Sequence, residues 1–194
     1  MAYLQREQRR ETILQAAMKV ALDGGFSAMT VRRIAQEAGV ATGQVHHHFA
    51  SSAELKSQAF IALIGQMMEV ALAGDIPDWH QRLQAILGSE EHSLEPYIRL
   101  WREAQLLVNQ DEDIRRAYVL TMEMWHAETV KVLAQGKLAG IFRLRDDEAR
   151  VAWRLIALVC GLDGLEVLGL SQMDSGNWEH HLRRAIESEV GGWR

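Results

Sequence analysis

The chain has 194 residues, 48% hydrophobic and 24% charged, which excludes wholesale disorder and allows one large domain or a small domain joined to a larger one. Its formal net charge of −5 speaks against nucleic acid as a partner, yet the charge is unevenly spread. Residues 1–56 hold seven Lys/Arg and five Asp/Glu, a balance of +2, and the remainder carries −7, so a mildly basic head sits on an acidic body and only that head suits phosphates.

Cys160 is the only cysteine, which excludes an intrachain disulfide and a multi-cysteine zinc site; in its apolar run it is expected to be a buried, inert thiol. The opening MAYLQREQRR lacks an apolar stretch of signal-peptide length, and no run approaches the ~18–20 apolar residues of a membrane span. A cytoplasmic protein without a membrane partner is expected. The only prolines are Pro77 and Pro96, and no segment alternates with period two, so the fold class expected is all-α, with about nine helices.

Ile13, Ala16, Ala17, Val20 and Ala21 form a first helical stripe, which Gly24-Gly25 closes as a C-cap. Val31, Ile34, Ala35 and Ala38 form a second, shorter one that stops at Gly39, and a third helix runs from Thr42 to His48. A fourth follows Ser51, with Phe60, Leu63, Ile64, Met67, Met68 and Ala71 on one face. Its start, Ser51-Ser52-Ala53-Glu54, reads as a capping box in which Glu54 returns to the serine N–H. Beyond the break at Gly74–Pro77 the spacing predicts helices over 78–87, 94–108, 111–135, 146–169 and 174–190.

The informative stretch is Thr30 to Phe49, TVRRIAQEAGVATGQVHHHF. Two short helices that cross steeply over a tight turn need a small residue at the crossing, and Ala35 is there. Four residues on, the reversal needs a left-handed residue, and Gly39 is there. Ile34, Val40 and Val45 supply the inward positions, and Thr30 and Thr42 suit the two N-caps. Three successive histidines point about 100° apart on a helix, so they cannot close on one ion; no metal is expected there or at His180-His181.

In that order the motifs closely resemble the DNA-binding head of TetR-family transcriptional regulators, over about residues 8–60. Leu158 to Leu165, LVCGLDGL, resembles the penultimate dimerisation helix of the subgroup that includes the choline-responsive betaine regulators. The resemblance implies a helix-turn-helix domain over 1–51 and an effector-binding and dimerisation domain over 52–194. It implies that the third helix enters the major groove. Thr30 and Arg32 would then meet phosphates or a flanking base edge, and Thr42, Gln44, His46 and His47 would lie on or beside the exposed face. Gln44 offers the paired donor and acceptor that adenine's edge accepts. His48 and Phe49 fall on the Val45 side and are expected to pack inward. Where the family often has a lysine, three residues after the phenylalanine, this chain has Ser52, with Lys56 one turn on; either could take a phosphate at the helix start.

In the body, Trp79, Trp101, Trp125 and Trp153, with Tyr97, Tyr118, Met122 and Met124, suit either core packing or the wall of a ligand pocket. The effector set expected is Trp101, Arg102, Tyr118, Met122, Glu123, Trp125 and His126. The helix at 146–169 is apolar around much of its circumference and must be covered on several sides. The resemblance implies a homodimer through Leu155, Leu158, Leu162 and Leu165. Asp163 within this run needs a partner or water.

The function implied is a dimeric repressor released from a palindromic operator by a small-molecule effector, with no cofactor. An activator is a variant that sequence does not separate. An enzyme is the contrasting reading, but HExxH, Walker A, GxSxG and dinucleotide-binding motifs are lacking. A protein-binding helix-turn-helix is disfavoured by the polar Thr42/Gln44/His46 face.

Overall fold

The computed structural model describes residues 2–73, 76–88, 94–169 and 175–192, except the side chains of 2–4 and 175–177. Among them are nine helices and no strand: α1 (Ala2–Ala28), α2 (Val31–Glu37), α3 (Thr42–His48), α4 (Ser52–Ala71), α5 (Trp79–Leu87), α6 (Glu95–Leu107), α7 (Glu112–Leu138), α8 (Glu148–Val167) and α9 (Ser175–Val190). The expected all-α class is the one observed. None of these helices is long and apolar enough to cross a membrane.

Two compact units share the chain. The first gathers α1, α2, α3, α4 to Met67, α6 and α7 to Met122; the second holds the end of α4, α5, the rest of α7, α8 and α9. This partition differs from a boundary after residue 51, because it adds most of α4, α6 and the start of α7 to the helix-turn-helix.

The first unit is built on the apolar stripe of α1: Ile13, Ala17, Val20 and Ala21 are at most 1% exposed. Phe26 meets Phe60 of α4 with ring centroids 5.6 Å apart. Full burial of such a side chain stabilises by roughly 1.5–3 kcal/mol. Gly24-Gly25 closes the first helical run as expected: Gly25 leaves the helical region, with φ 70° and ψ −172°, and a short further turn beyond it reaches Ala28. The interruption frees the Phe26 N–H, which donates to Glu103 Oε2 of α6 at 2.8 Å. Arg99, one turn earlier on α6, donates to the Leu22 carbonyl at 2.5 Å, so the α1–α6 seam is held by charged groups on backbone.

The second unit packs α8 on α9 and both on α5 around Leu83, Leu87, Leu133, Val151, Leu155, Leu182 and Ile186, each at most 1% exposed. Asp78 and Asp147 cap α5 and α8, accepting from Gln81 N at 2.8 Å and Arg150 N at 3.0 Å. Arg154 joins α8 to α9 through a bidentate pair with Glu189, both contacts 2.7 Å, and reaches Asp146 at 2.9 Å. His80, 4% exposed, is satisfied by the Gly191 carbonyl at 3.1 Å from Nε2. Cys160 is half-buried rather than buried, and burial with the Asp163 carboxylate pushes its thiol up to about 11, so it is protonated and unreactive at neutral pH.

Candidate nucleic-acid interface

The turn between α2 and α3 follows from Gly39. Its φ of 64° lets Val40 N reach back to the Ala35 carbonyl at 2.9 Å and Gly39 N to the Gln36 carbonyl at 3.2 Å, the two bonds that close a helix through a left-handed residue. Ala35, 4% exposed, lets the two helices approach, and Ile34 and Val45, at 1% and 2%, anchor them to the core. Thr30 caps α2 as expected, accepting from Arg33 N at 3.2 Å. Thr42 does not cap α3: the cap position is Ala41, without a side-chain bond, and Thr42 opens the helix. Its hydroxyl is therefore not committed to a cap.

The consequence for α3 is one-sided burial. Val45 is the buried residue of the helix; Thr42, Gly43, Gln44, His46 and His47 are all exposed. Thr30 and Arg32 are exposed at the start of α2, whereas Ser52 and Lys56 are half-buried on α4. Phe49 is 2% exposed, an inward position as the spacing requires. His48 is half-buried, its Nδ1 enclosed without a hydrogen-bond partner. Burial, then the charges of His47, Arg6, Arg9 and Arg10, hold it below the usual histidine range.

The basic residues of the head are not equally available. Lys19 is paired with Glu37 at 2.5 Å, and its charge is correspondingly favoured. Arg10 is turned inward: its guanidinium lies 4.6 Å from the Phe49 ring centroid and donates to Gln58 Oε1 at 2.5 Å. Arg6, Arg9, Arg32 and Arg33 are exposed. The capping box at α4 differs in its return half. Ser51 Oγ accepts from Glu54 N at 2.9 Å, but Glu54 Oε2 accepts from Ala50 N at 2.7 Å rather than from the serine N–H. The carboxylate thus holds the α3–α4 turn one residue earlier.

The residues expected to form an effector pocket fall in both units: Trp101, Arg102, Tyr118 and Met122 in the first, Glu123, Trp125 and His126 in the second. The Trp101 and Tyr118 rings lie 5.5 Å apart. Trp125 Nε1 donates to the Ile86 carbonyl at 2.7 Å, and His126 stacks on Trp153 at 4.3 Å, so these side chains have structural work. Glu123 is exposed and Arg102 lies 3.6 Å from Glu95. A hollow of about 230 Å³ lies elsewhere, between α4 and α7 in the first unit, lined by Glu54, Gln58, Ile61, Arg116 and Leu120 among others. Sequence reading missed it, since its two walls are more than fifty positions apart and nothing local marks them as facing each other.

The fold and the α2–α3 geometry have clear counterparts among known proteins. Residues 13–58 match the family model of bacterial regulatory proteins of the tetR family. The chain is 32% identical over 160 residues to the HTH-type transcriptional repressor KstR2 of Mycolicibacterium smegmatis, covering 72% of this chain and 70% of that one. It is 26% identical over 165 residues to the HTH-type transcriptional regulator BetI of Rhizobium meliloti, covering 79% and 75%. A TetR-family regulator from Rhodococcus sp. superposes with a TM-score of 0.78 at 22% identity, over 95% of this chain and 99% of that one. A transcriptional regulator from Saccharomonospora viridis in complex with choline superposes with a TM-score of 0.69 at 23% identity, over 95% and 98%. The helix-turn-helix at Thr30–Phe49, the all-helical fold and these relatives together establish that the chain belongs to the TetR family of transcriptional regulators.

Proposed function

We propose that the protein is a homodimeric repressor that reads a palindromic operator through α3 and leaves it when a small molecule binds the body. The observation that carries the reading is the division of α3: one buried anchor, Val45, and an exposed polar face of Thr42, Gln44, His46 and His47. A helix so held can lie in a major groove with its first turns on base edges. Gln44 then makes a bidentate contact with adenine, His46 and His47 reach bases or backbone, and Thr42, its hydroxyl not committed to a cap, meets a phosphate or a thymine methyl. Thr30, Arg32, Ser52 and Lys56 position the head on phosphates. In this division of tasks residues 1–51 read DNA and 52–194 sense and dimerise.

Dimerisation is assigned to α8. Leu155 and Leu162 are spent on the chain's own core at 1% and 5% exposure, so a partner meets the other side: half-buried Leu158, Leu165 at 40%, and Trp153 at 44%. Gly161 and Gly164 are exposed there and let a second backbone come close. The effector is assigned to aromatic residues in each unit taken by itself: Trp101, Tyr118 and Met122 with Arg102 in the first, and Trp125 with Glu123 and His126 in the second. A related fold that holds choline supports a small-molecule ligand of this kind. Titrating a labelled operator duplex with wild type and Gln44→Ala tests the assignment. Loss confined to duplexes with one particular base supports α3 as the reader; equal loss on all duplexes refutes it.

A further inference from the structure

Arg10 counts among the seven basic residues of residues 1–56, and on charge alone it belongs with the phosphate contacts. We propose instead that Arg10 is a positioning residue that fixes the exit of α3, so that operator specificity depends on a side chain that does not touch DNA. This rests on the reading of α3 as the DNA-reading helix.

Arg10 lies on α1, yet its guanidinium covers Phe49, the residue that ends α3, at 4.6 Å. The same group donates to Gln58 Oε1 at 2.5 Å and lies 3.9 Å from Glu54 Oε1. Glu54 in turn accepts from Gln58 Nε2 at 2.8 Å and from Ala50 N at 2.7 Å, in the turn that follows α3. One planar cation therefore ties α1, the end of α3 and the first turns of α4 together. Only arginine can do this. Its flat face covers a ring while its edge donates to Gln58 and keeps its charge within 3.9 Å of Glu54, a combination that a lysine ammonium cannot match. The clasp also has an open flank, because Glu54 and Gln58 line the 230 Å³ hollow between α4 and α7. Packing does not confine these side chains on that side, so their hydrogen bonds set where they sit. At 32% exposure Arg10 is wet enough for a phosphate role to be a real alternative, and the two roles separate experimentally.

The test uses the full chain with Arg10→Lys and Gln58→Ala. A phosphate contact survives replacement by lysine; a clasp does not. Arg10→Lys is expected to lose about tenfold in operator affinity, with unchanged affinity for unrelated duplex and an unchanged salt slope. Gln58→Ala, which removes the acceptor on α4, is expected to reproduce the loss, and the double variant to be little worse than either single one. Wild-type operator affinity in Arg10→Lys overturns the proposal. So does an Arg10→Gln variant that weakens every duplex alike and lowers the salt slope by about one. Amide exchange in the free protein decides the matter without DNA, so failure of the clasp is distinguishable from failure of the DNA reading. Residues 42–49 are expected to exchange severalfold faster in Arg10→Lys while Ile13–Ala21 stay protected. Unchanged exchange across 42–49 overturns the clasp.

Discussion

Gly25→Ala probes how the first unit is assembled. At φ 70° and ψ −172° the backbone occupies a region essentially reserved for glycine, where another residue costs roughly 1–3 kcal/mol. A Cβ there would also stand 2.3 Å from Glu103 Oε2. The carboxylate is the end of a flexible side chain and can swing away, but doing so gives up its bond from the Phe26 N–H at 2.8 Å. A charged hydrogen bond of this kind contributes about 1.5–3 kcal/mol. The two effects sum to about 2.5–6 kcal/mol, which at about 2–4 °C per kcal/mol for a chain of this size lowers Tm by roughly 5–24 °C. Urea denaturation of the single variant, and of Gly25→Ala in a Glu103→Ala background, separates them. With Glu103 already truncated, only the backbone cost of about 1–3 kcal/mol should remain. A single variant within about 0.5 kcal/mol of wild type refutes the strain argument. Equal costs in both backgrounds refute the part assigned to Glu103.

Gln44→Ala is expected to relax one base position of the operator by about 1–3 kcal/mol while leaving unrelated duplex binding unchanged, as read by competition with single-base operator variants. His48 makes stability depend on pH. Its folded pKa lies below the ordinary 6.5, so the unfolded chain binds more protons; the contribution is present above 6.5 and is lost as pH falls through the lower folded value. His48→Gln should flatten the fall in urea midpoint on acidification below 6.5, and an unchanged slope counts against this origin. Leu165→Glu, at a site 40% exposed on α8, should convert a sedimenting dimer to monomer with little change in the fold of the single chain; a persistent dimer removes α8 from the interface.

Much of the head was legible because its requirements are local. A small residue at 35, a left-handed residue at 39 and a hydroxyl at 30 each answer a demand set within a few positions, and the structure uses all three as expected. Caps were less legible: Thr42 has the chemistry of a cap, yet the chain turns one residue earlier, at Ala41. Glu54 likewise reaches past Ser51 to the Ala50 N–H, a choice set by the α3–α4 turn and not by the residue types. Gly24-Gly25 carried the composition of a stop signal and the helix breaks there; what the residue types did not show is that Glu103 of α6 takes the Phe26 N–H beyond the break. Arg10 could not be read at all, since its partner Gln58 is 48 residues away and nothing local marks the pair. On α8 the apolar circumference was plain, but which leucines face inward depends on where α5 and α9 lie.

Selection of bound sequences from a random duplex library, at roughly physiological salt, tests the DNA-reading claim most directly. Recovery of a palindrome with half-sites about one helical turn apart, or a multiple of it, is the expected result. Recovery of no sequence, with weak binding that depends on salt alone and stays so after the protein is unfolded, stripped of ligand and refolded, would contradict it.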